Sequence, residues 1–197
     1  CLLSRGLGDV YKRQGEGTNA ENIIRYFSER KTAKVVVVIT NKAQAGVLNR
    51  ADKLGIPTEF IPAQDFTEGR ALEVLHRYQT DFIALAGFLL RVPDDILHDY
   101  PNKIVNIHPA LLPKFGGKGM YGSRVHQAVI ASHEKESGIT IHYINERYDE
   151  GNTIFQATCP VLPTDTPDTL AIRVHQLEYE YFPRVIEATI LGKNLSI

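Results

Sequence analysis

Between positions 34 and 40 the chain reads "KVVVVIT", five consecutive β-branched apolar residues with no polar alternation. Such a run predicts a strand buried on both faces, as strands of parallel sheets are. Extended pieces of similar character follow in "GIPTEFIPA" (55–63), "TDFIALAGF" (80–88) and "NKIVNIH" (102–108). Helical spacing of apolar positions separates them over 20–30, 43–54, 68–78 and 93–99. The last of these opens on Pro93, whose missing N–H costs nothing in a first turn. Strands alternating with short helices predict an α/β chain built on a Rossmann-like, doubly wound, mostly parallel sheet. Beyond a helix at 123–134, "SGITIHYINE" (137–146) and "NTIFQATCPV" (152–161) alternate and predict an antiparallel C-terminal strand pair. The stretch 166–192 closes as one long helix, with Pro183 as the place for a bend.

The first fourteen residues, "CLLSRGLGDVYKRQ", stand apart. They have neither the charged start, apolar centre and small-residue cleavage site of a secretory signal nor a strand or helix period of useful length. They are expected to be a non-native or disordered leader ahead of a single domain at 15–197. A chain of 197 residues with 43% hydrophobic content can build one compact core. Its 22 basic and 23 acidic side chains create no net field toward nucleic acid or an anionic membrane, so any anion site is local. Two cysteines are too few for a disulfide framework, which fits a cytoplasmic setting. The seven histidines lack HExxH or paired Cys and His spacing, and no metal is expected.

Candidate chemistry sits in three places. "GEGTN" (15–19) precedes a helix, so its backbone N–H groups with Thr18 and Asn19 could cradle a phosphate. The same residues also describe an ordinary N-capped turn, and Ala20 holds the place of the third glycine in a dinucleotide fingerprint, so a small phosphorylated ligand fits better than a dinucleotide. Asn106 and His108 are two apart at the end of an extended segment, so both leave one face where ligands of open parallel sheets bind. They open "NIHPALLPKFGGKGMYG" (106–122), either a surface turn or an active-site loop. "YDEG" (148–151) places Asp149 in a tight loop between the two late strands. An amide, an imidazole and a carboxylate together point to acyl-type transfer: a donor for a developing oxyanion, a proton-transfer group and a charge that orients it.

These residues carry a resemblance over nearly the whole chain, from Gly15 to about Ile190. "GEGTN", "AGF" (86–88), the 106–122 loop, "SGITIHYINERYDEG" and "HQLEYEYFP" (175–183) resemble the phosphoribosylglycinamide formyltransferase family of folate-dependent enzymes. The resemblance implies the formyltransferase fold and transfer of the formyl group of 10-formyltetrahydrofolate, the co-substrate, to the amino group of glycinamide ribonucleotide in purine biosynthesis. It implies Asn106, His108 and Asp149 as catalytic residues, and Gly15, Glu16, Gly17, Thr18, Asn19 and Glu178 as the glycinamide ribonucleotide site. For folate it implies Leu89, Leu90, Arg91, Val92, Asn106, Ile144 and Asp149. Lys114, Lys118 and His126 become candidate neighbours of the ribonucleotide. Partners would be these small molecules, with no nucleic acid or membrane and a monomer or weak homodimer. Two departures stand out. The family opens with an apolar strand where "LGDVYKRQ" stands here, with Lys12 and Arg13 costly to bury, and Leu90 precedes Arg91 where a common family form has arginine directly after the first apolar residue. A formyltetrahydrofolate deformylase, which passes the formyl group to water, and a non-catalytic nucleotide-binding module are the alternatives.

Overall fold

The structure, a computed structural model, describes residues 2–4 and 17–193. Contacts group the chain into two compact units, Cys1–Val105 and Asn106–Ile197.

In the first unit β1 (Leu2–Ser4), β2 (Val38–Thr40), β3 (Thr58–Phe60) and β4 (Ile83–Ala86) follow the order β3-β2-β1-β4, every pair parallel. Val38, Ile39 and Ile83 are wholly buried, as continuous apolar strands covered on both faces must be. The flanking helices are α1 (Thr18–Arg30), α2 (Gly46–Lys53), α3 (Ala63–Thr67), α4 (Arg70–Arg77) and α5 (Asp94–Asp99). Helix α1 buries Ala20, Ile23, Ile24 and Phe27, one face at 3.6-residue spacing. The chain moves outward through β2 and β3, then returns to the other side of β1 as β4. That reversal is a topological switch point, and crevices beyond the strand ends at such points take ligands.

Three expectations change here. Only the last three residues of the 34–40 run pair as a strand, because the neighbours in register with them, Leu2–Ser4 and Thr58–Phe60, are equally short. The helix expected over 68–78 is Arg70–Arg77, and an additional short helix, Ala63–Thr67, precedes it across Gly69, whose φ of 87° is a left-handed conformation that glycine adopts without steric cost. Leu2–Ser4 forms a strand paired on both sides, although no strand period is legible across 1–14. Lys12 and Arg13 lie outside the described residues.

The second unit opens at Asn106 within β5 (Ile104–His108) and continues through α6 (Ser123–Ala131), β6 (Glu136–Tyr143), β7 (Thr153–Pro160) and α7 (Pro167–Leu191). Its strand order is β5-β6-β7, and β6 and β7 run antiparallel as their alternation predicts. The register shifts between Ile141 and His142, an irregularity of the kind that re-aims side chains near functional sites. Gly138 must be glycine, since a Cβ there would lie 1.9 Å from the Ala157 carbonyl oxygen. Thr166 and Thr169 cap α7 reciprocally, each hydroxyl accepting from the other's backbone N–H. The helix then passes through Pro183 as one element and ends at Gly192.

Candidate active site

Period-two geometry at the end of β5 sends Asn106 and His108 to one side, and β6 supplies a second imidazole ring, His142. Asn106 Nδ2 lies 3.2 Å from His142 Nε2, while His142 Nδ1 is 2.9 Å from the Tyr143 carbonyl oxygen. A carbonyl only accepts, so Nδ1 carries the ring hydrogen and Nε2 of the neutral ring accepts from the Asn106 amide. This pairing fixes which way the amide points. It leaves the second amide hydrogen of Asn106 available as a donor.

His108 Nε2 sits 2.8 Å from the Phe115 carbonyl oxygen, and its Nδ1 is 3.6 Å from Asp149 Oδ2. Asp149 Oδ1 is in turn 3.6 Å from His142 Nε2. Both distances exceed hydrogen-bond range and become charge contacts only when the ring concerned is protonated. The direct bond to this carboxylate comes from the Gly117 N–H, 2.9 Å from Oδ2. Gly151 makes the carboxylate's position possible. A Cβ there would fall 1.7 Å from the Tyr143 carbonyl oxygen, so only glycine lets the 148–151 turn close on the end of β6. Asp149 itself has a left-handed φ of 58°, a conformation that short polar residues tolerate best.

The loop that follows His108 is fastened rather than loose. Buried Thr140 donates to the Ala110 carbonyl (2.7 Å) and accepts from the Leu112 N–H (3.0 Å), while Gln156 Nε2 donates to the Leu112 carbonyl at 3.0 Å. This anchoring and the bonds from residues 115 and 117 tie the 106–122 loop to His108, β6, β7 and the Asp149 turn.

Burial pushes the His108 pKa below its ordinary value, against the raising influence of the Asp149 charge and the Phe115 carbonyl. The ring is therefore neutral near pH 7 and able to take a proton. Asp149 has the expected raising effect, but burial outweighs it. For Asp149 burial acts upward, yet the approach of His142, the charge of His108 and the Gly117 N–H together hold the carboxyl below the usual range. Glu178, on α7, is 4% exposed, and His175 Nδ1 lies 2.7 Å from its Oε2. Its charge also reaches His108.

The second unit thus brings together Asn106, His108 and Asp149, with Glu178 acting on His108 through its charge. Ile144 is half-buried just past the end of β6. Most of the other expected residues belong to the first unit. Gly17 caps α1 with φ 76°, and a Cβ there would lie 2.4 Å from Val47 Cβ, so backbone packing demands glycine. Thr18 and Asn19 form the first turn of α1, both half-buried. Gly15 and Glu16 lie outside the described residues. Leu89, Leu90, Arg91 and Val92 follow β4, with Val92 buried and Arg91 paired to Asp94. His126 offers no exposed surface to a ligand, and Lys114 is engaged by Glu134 at 2.8 Å. His142 is the member that sequence reasoning missed. Its one visible signal is its place two residues after Thr140 in β6, a strand buried continuously from Ser137 to His142. Among the described residues no group of His, Cys, Asp or Glu is placed to hold a metal ion, and no helix is long and apolar enough to cross a membrane.

The sequence profile of the formyl transferase family matches residues 12–186. A chloroplastic phosphoribosylglycinamide formyltransferase of Arabidopsis thaliana is 39% identical over 181 residues, 88% of this chain and 62% of the plant protein. The Bacillus subtilis phosphoribosylglycinamide formyltransferase is 34% identical over 91% of this chain and 92% of its own length. The crystal structure of glycinamide ribonucleotide transformylase 1 from Symbiobacterium toebii superposes with a TM-score of 0.85 at 30% identity, covering 97% of this chain and 86% of that one. The chain therefore spans less than two thirds of the plant relative and nearly all of the Bacillus one.

Proposed function

The chain belongs to the formyl transferase family, and we propose that it transfers the formyl group of 10-formyltetrahydrofolate to the amino group of glycinamide ribonucleotide. The observation that carries this reading is the gathering of Asn106, His108 and Asp149, with His142 behind the amide. In the reaction the substrate amine forms a bond to the formyl carbon, the bond from that carbon to folate N10 breaks, and the proton lost by the amine ends on N10. Negative charge develops on the formyl oxygen during attack. The Asn106 amide, its orientation set by His142, donates to that oxygen. His108, neutral because it is buried, takes the amine proton and returns it to the leaving nitrogen. Asp149 stabilises the imidazolium formed in between.

Binding follows from the remaining residues. The N–H groups that open α1, with Gly17, Thr18 and Asn19, suit the phosphate of the ribonucleotide. Gly15 and Glu16 complete that loop in sequence. The Glu178 carboxylate, braced by His175, suits the paired ribose hydroxyls. Residues 89–92, Ile144 and the Asp149 turn form the folate side of the reading. Release of formate to water would need neither the phosphate turn nor Glu178, which favours transfer over hydrolysis. Titration calorimetry tests the substrate assignment. Glycinamide ribonucleotide should bind the full chain, and Glu178→Gln should weaken it by about tenfold, the loss of one charge-assisted bond. No heat of binding with the unaltered chain would refute it.

A further inference from the structure

We propose that Arg50, reaching from α2, is a positioning residue for the phosphate of the ribonucleotide: it occupies the Glu21 carboxylate in the first turn of α1 and cancels its charge, so that the turn accepts a phosphate monoester. The inference rests on the reading of Gly17, Thr18 and Asn19 as the phosphate turn, and it names what makes that turn electrostatically fit for a dianion.

Helix α1 starts at Gly17, whose carbonyl accepts from the Glu21 N–H at 3.0 Å. A phosphate at this end draws on the partial positive charge of the helix start, about half an elementary charge. Glu21 brings a full negative charge into the same turn. A carboxylate there stabilises the empty helix and competes with a phosphate for the same field. Whether the turn attracts an anion therefore depends on what answers Glu21. Two guanidinium groups do. Arg25 lies one turn along α1 with its Nε 2.9 Å from Oε1, and Nη1 of Arg50 donates to Oε2. Hydrogen bonds from Arg25 and Arg50 hold the carboxyl below its usual range, so its negative charge is present at neutral pH. With one cation on each oxygen, the group keeps an excess of one positive charge.

Arg50 is the more consequential of the two cations. Its side chain is 33% exposed against 59% for Arg25, so water and salt screen it less. It also comes from a helix that already supports the turn. Val47, three residues earlier on the same face of α2, packs against Gly17, where a Cβ would lie 2.6 Å from Val47 Cα. Val47 at Gly17 and Arg50 at Glu21 thus tie α2 to both ends of the first turn of α1. The first contact fixes the backbone, and the second sets the charge.

Titration calorimetry of the full chain with glycinamide ribonucleotide tests this charge by charge. Arg50→Ala removes the excess and should weaken binding about fivefold at low salt, the worth of one charge at a helix start. Arg50→Lys keeps the charge and should bind nearly as the unaltered chain does. Glu21→Gln, which leaves α2 untouched, should tighten binding by a similar factor. The double variant, Arg50→Ala with Glu21→Gln, has the net charge of the unaltered chain and should regain its affinity. These changes should shrink at high salt, and the KM for 10-formyltetrahydrofolate should not move. Unchanged affinity in Arg50→Ala, or a loss that neither Glu21→Gln nor salt relieves, would overturn the proposal and leave Arg50 as a packing residue. If Arg50→Ala does not fold, Glu21→Gln alone decides, and equal or weaker binding overturns it. Inorganic phosphate in place of the ribonucleotide separates this inference from the functional reading. Phosphate binding in the same charge order, without any binding of the ribonucleotide, would sink that reading and keep the inference. Ribonucleotide binding that ignores Arg50 would do the reverse.

Discussion

Asp149 Oδ2 stands 3.6 Å from Nδ1 of His108, opposite the ring edge that binds the Phe115 carbonyl. The carboxylate is held below its usual pKa and the ring below its own, so near pH 7 an anion faces a neutral base. The pair is set to accept a proton and to stabilise the cation that results. Asp149→Asn keeps the size and removes the charge. The His108 pKa should then fall further, because the largest influence raising it is gone. NMR titration of the ring in both proteins measures this, and equal values would reduce Asp149 to a turn residue.

His108→Ala removes the proton-transfer group itself. Turnover should drop by roughly a hundredfold to ten-thousandfold, the usual share of general acid–base catalysis, while binding of glycinamide ribonucleotide survives. Steady-state rates and calorimetry on the same preparation separate the two. Near-normal turnover would remove His108 from the mechanism.

His142 works through Asn106, so the two should not act independently. Asn106→Ala should cost about a hundredfold or more in turnover, as loss of an oxyanion donor does. His142→Phe, which leaves the amide without its acceptor, should cost about tenfold, and the double variant should be little worse than Asn106→Ala. Losses that simply multiply would mean that His142 does not orient the amide.

Burial pushes His126 down to about 4, with the Glu178 charge pulling the other way. Its unfolded value is about 6.5, so the unfolded chain binds the proton first. The associated stability is fully present above pH 6.5 and is lost as pH falls toward 4, about 3 kcal/mol in all, with His108 contributing in the same direction. Urea unfolding across this window should show a shallower pH slope for His126→Leu than for the unaltered chain. Identical slopes would contradict the assignment.

Much of the site was legible because it rests on local rules. Asn106 and His108 share a face by the period of a strand, and Asp149 announces its turn through Gly151, whose missing Cβ admits the Tyr143 carbonyl. What pairing decides was hidden. His142 is linked to Asn106 across 36 positions of sequence, and nothing in "GITIHY" marks it apart from its neighbours. Leu2–Ser4 is likewise too short to show a period and is a strand only because β2 and β4 flank it. The turn at Gly69 was written in the sequence as a glycine, but helical spacing read from 68 onward ran across it.

The central claim is that the amine of glycinamide ribonucleotide, and not water, receives the formyl group. Incubating the full chain with 10-formyltetrahydrofolate carrying a 13C-labelled formyl carbon, with and without glycinamide ribonucleotide, measures this directly by following the label in NMR spectra. The expected result is label on the ribonucleotide amide only when that substrate is present, with little labelled formate in either case. Labelled formate at the same rate with and without the ribonucleotide would contradict the account and make the chain a hydrolase.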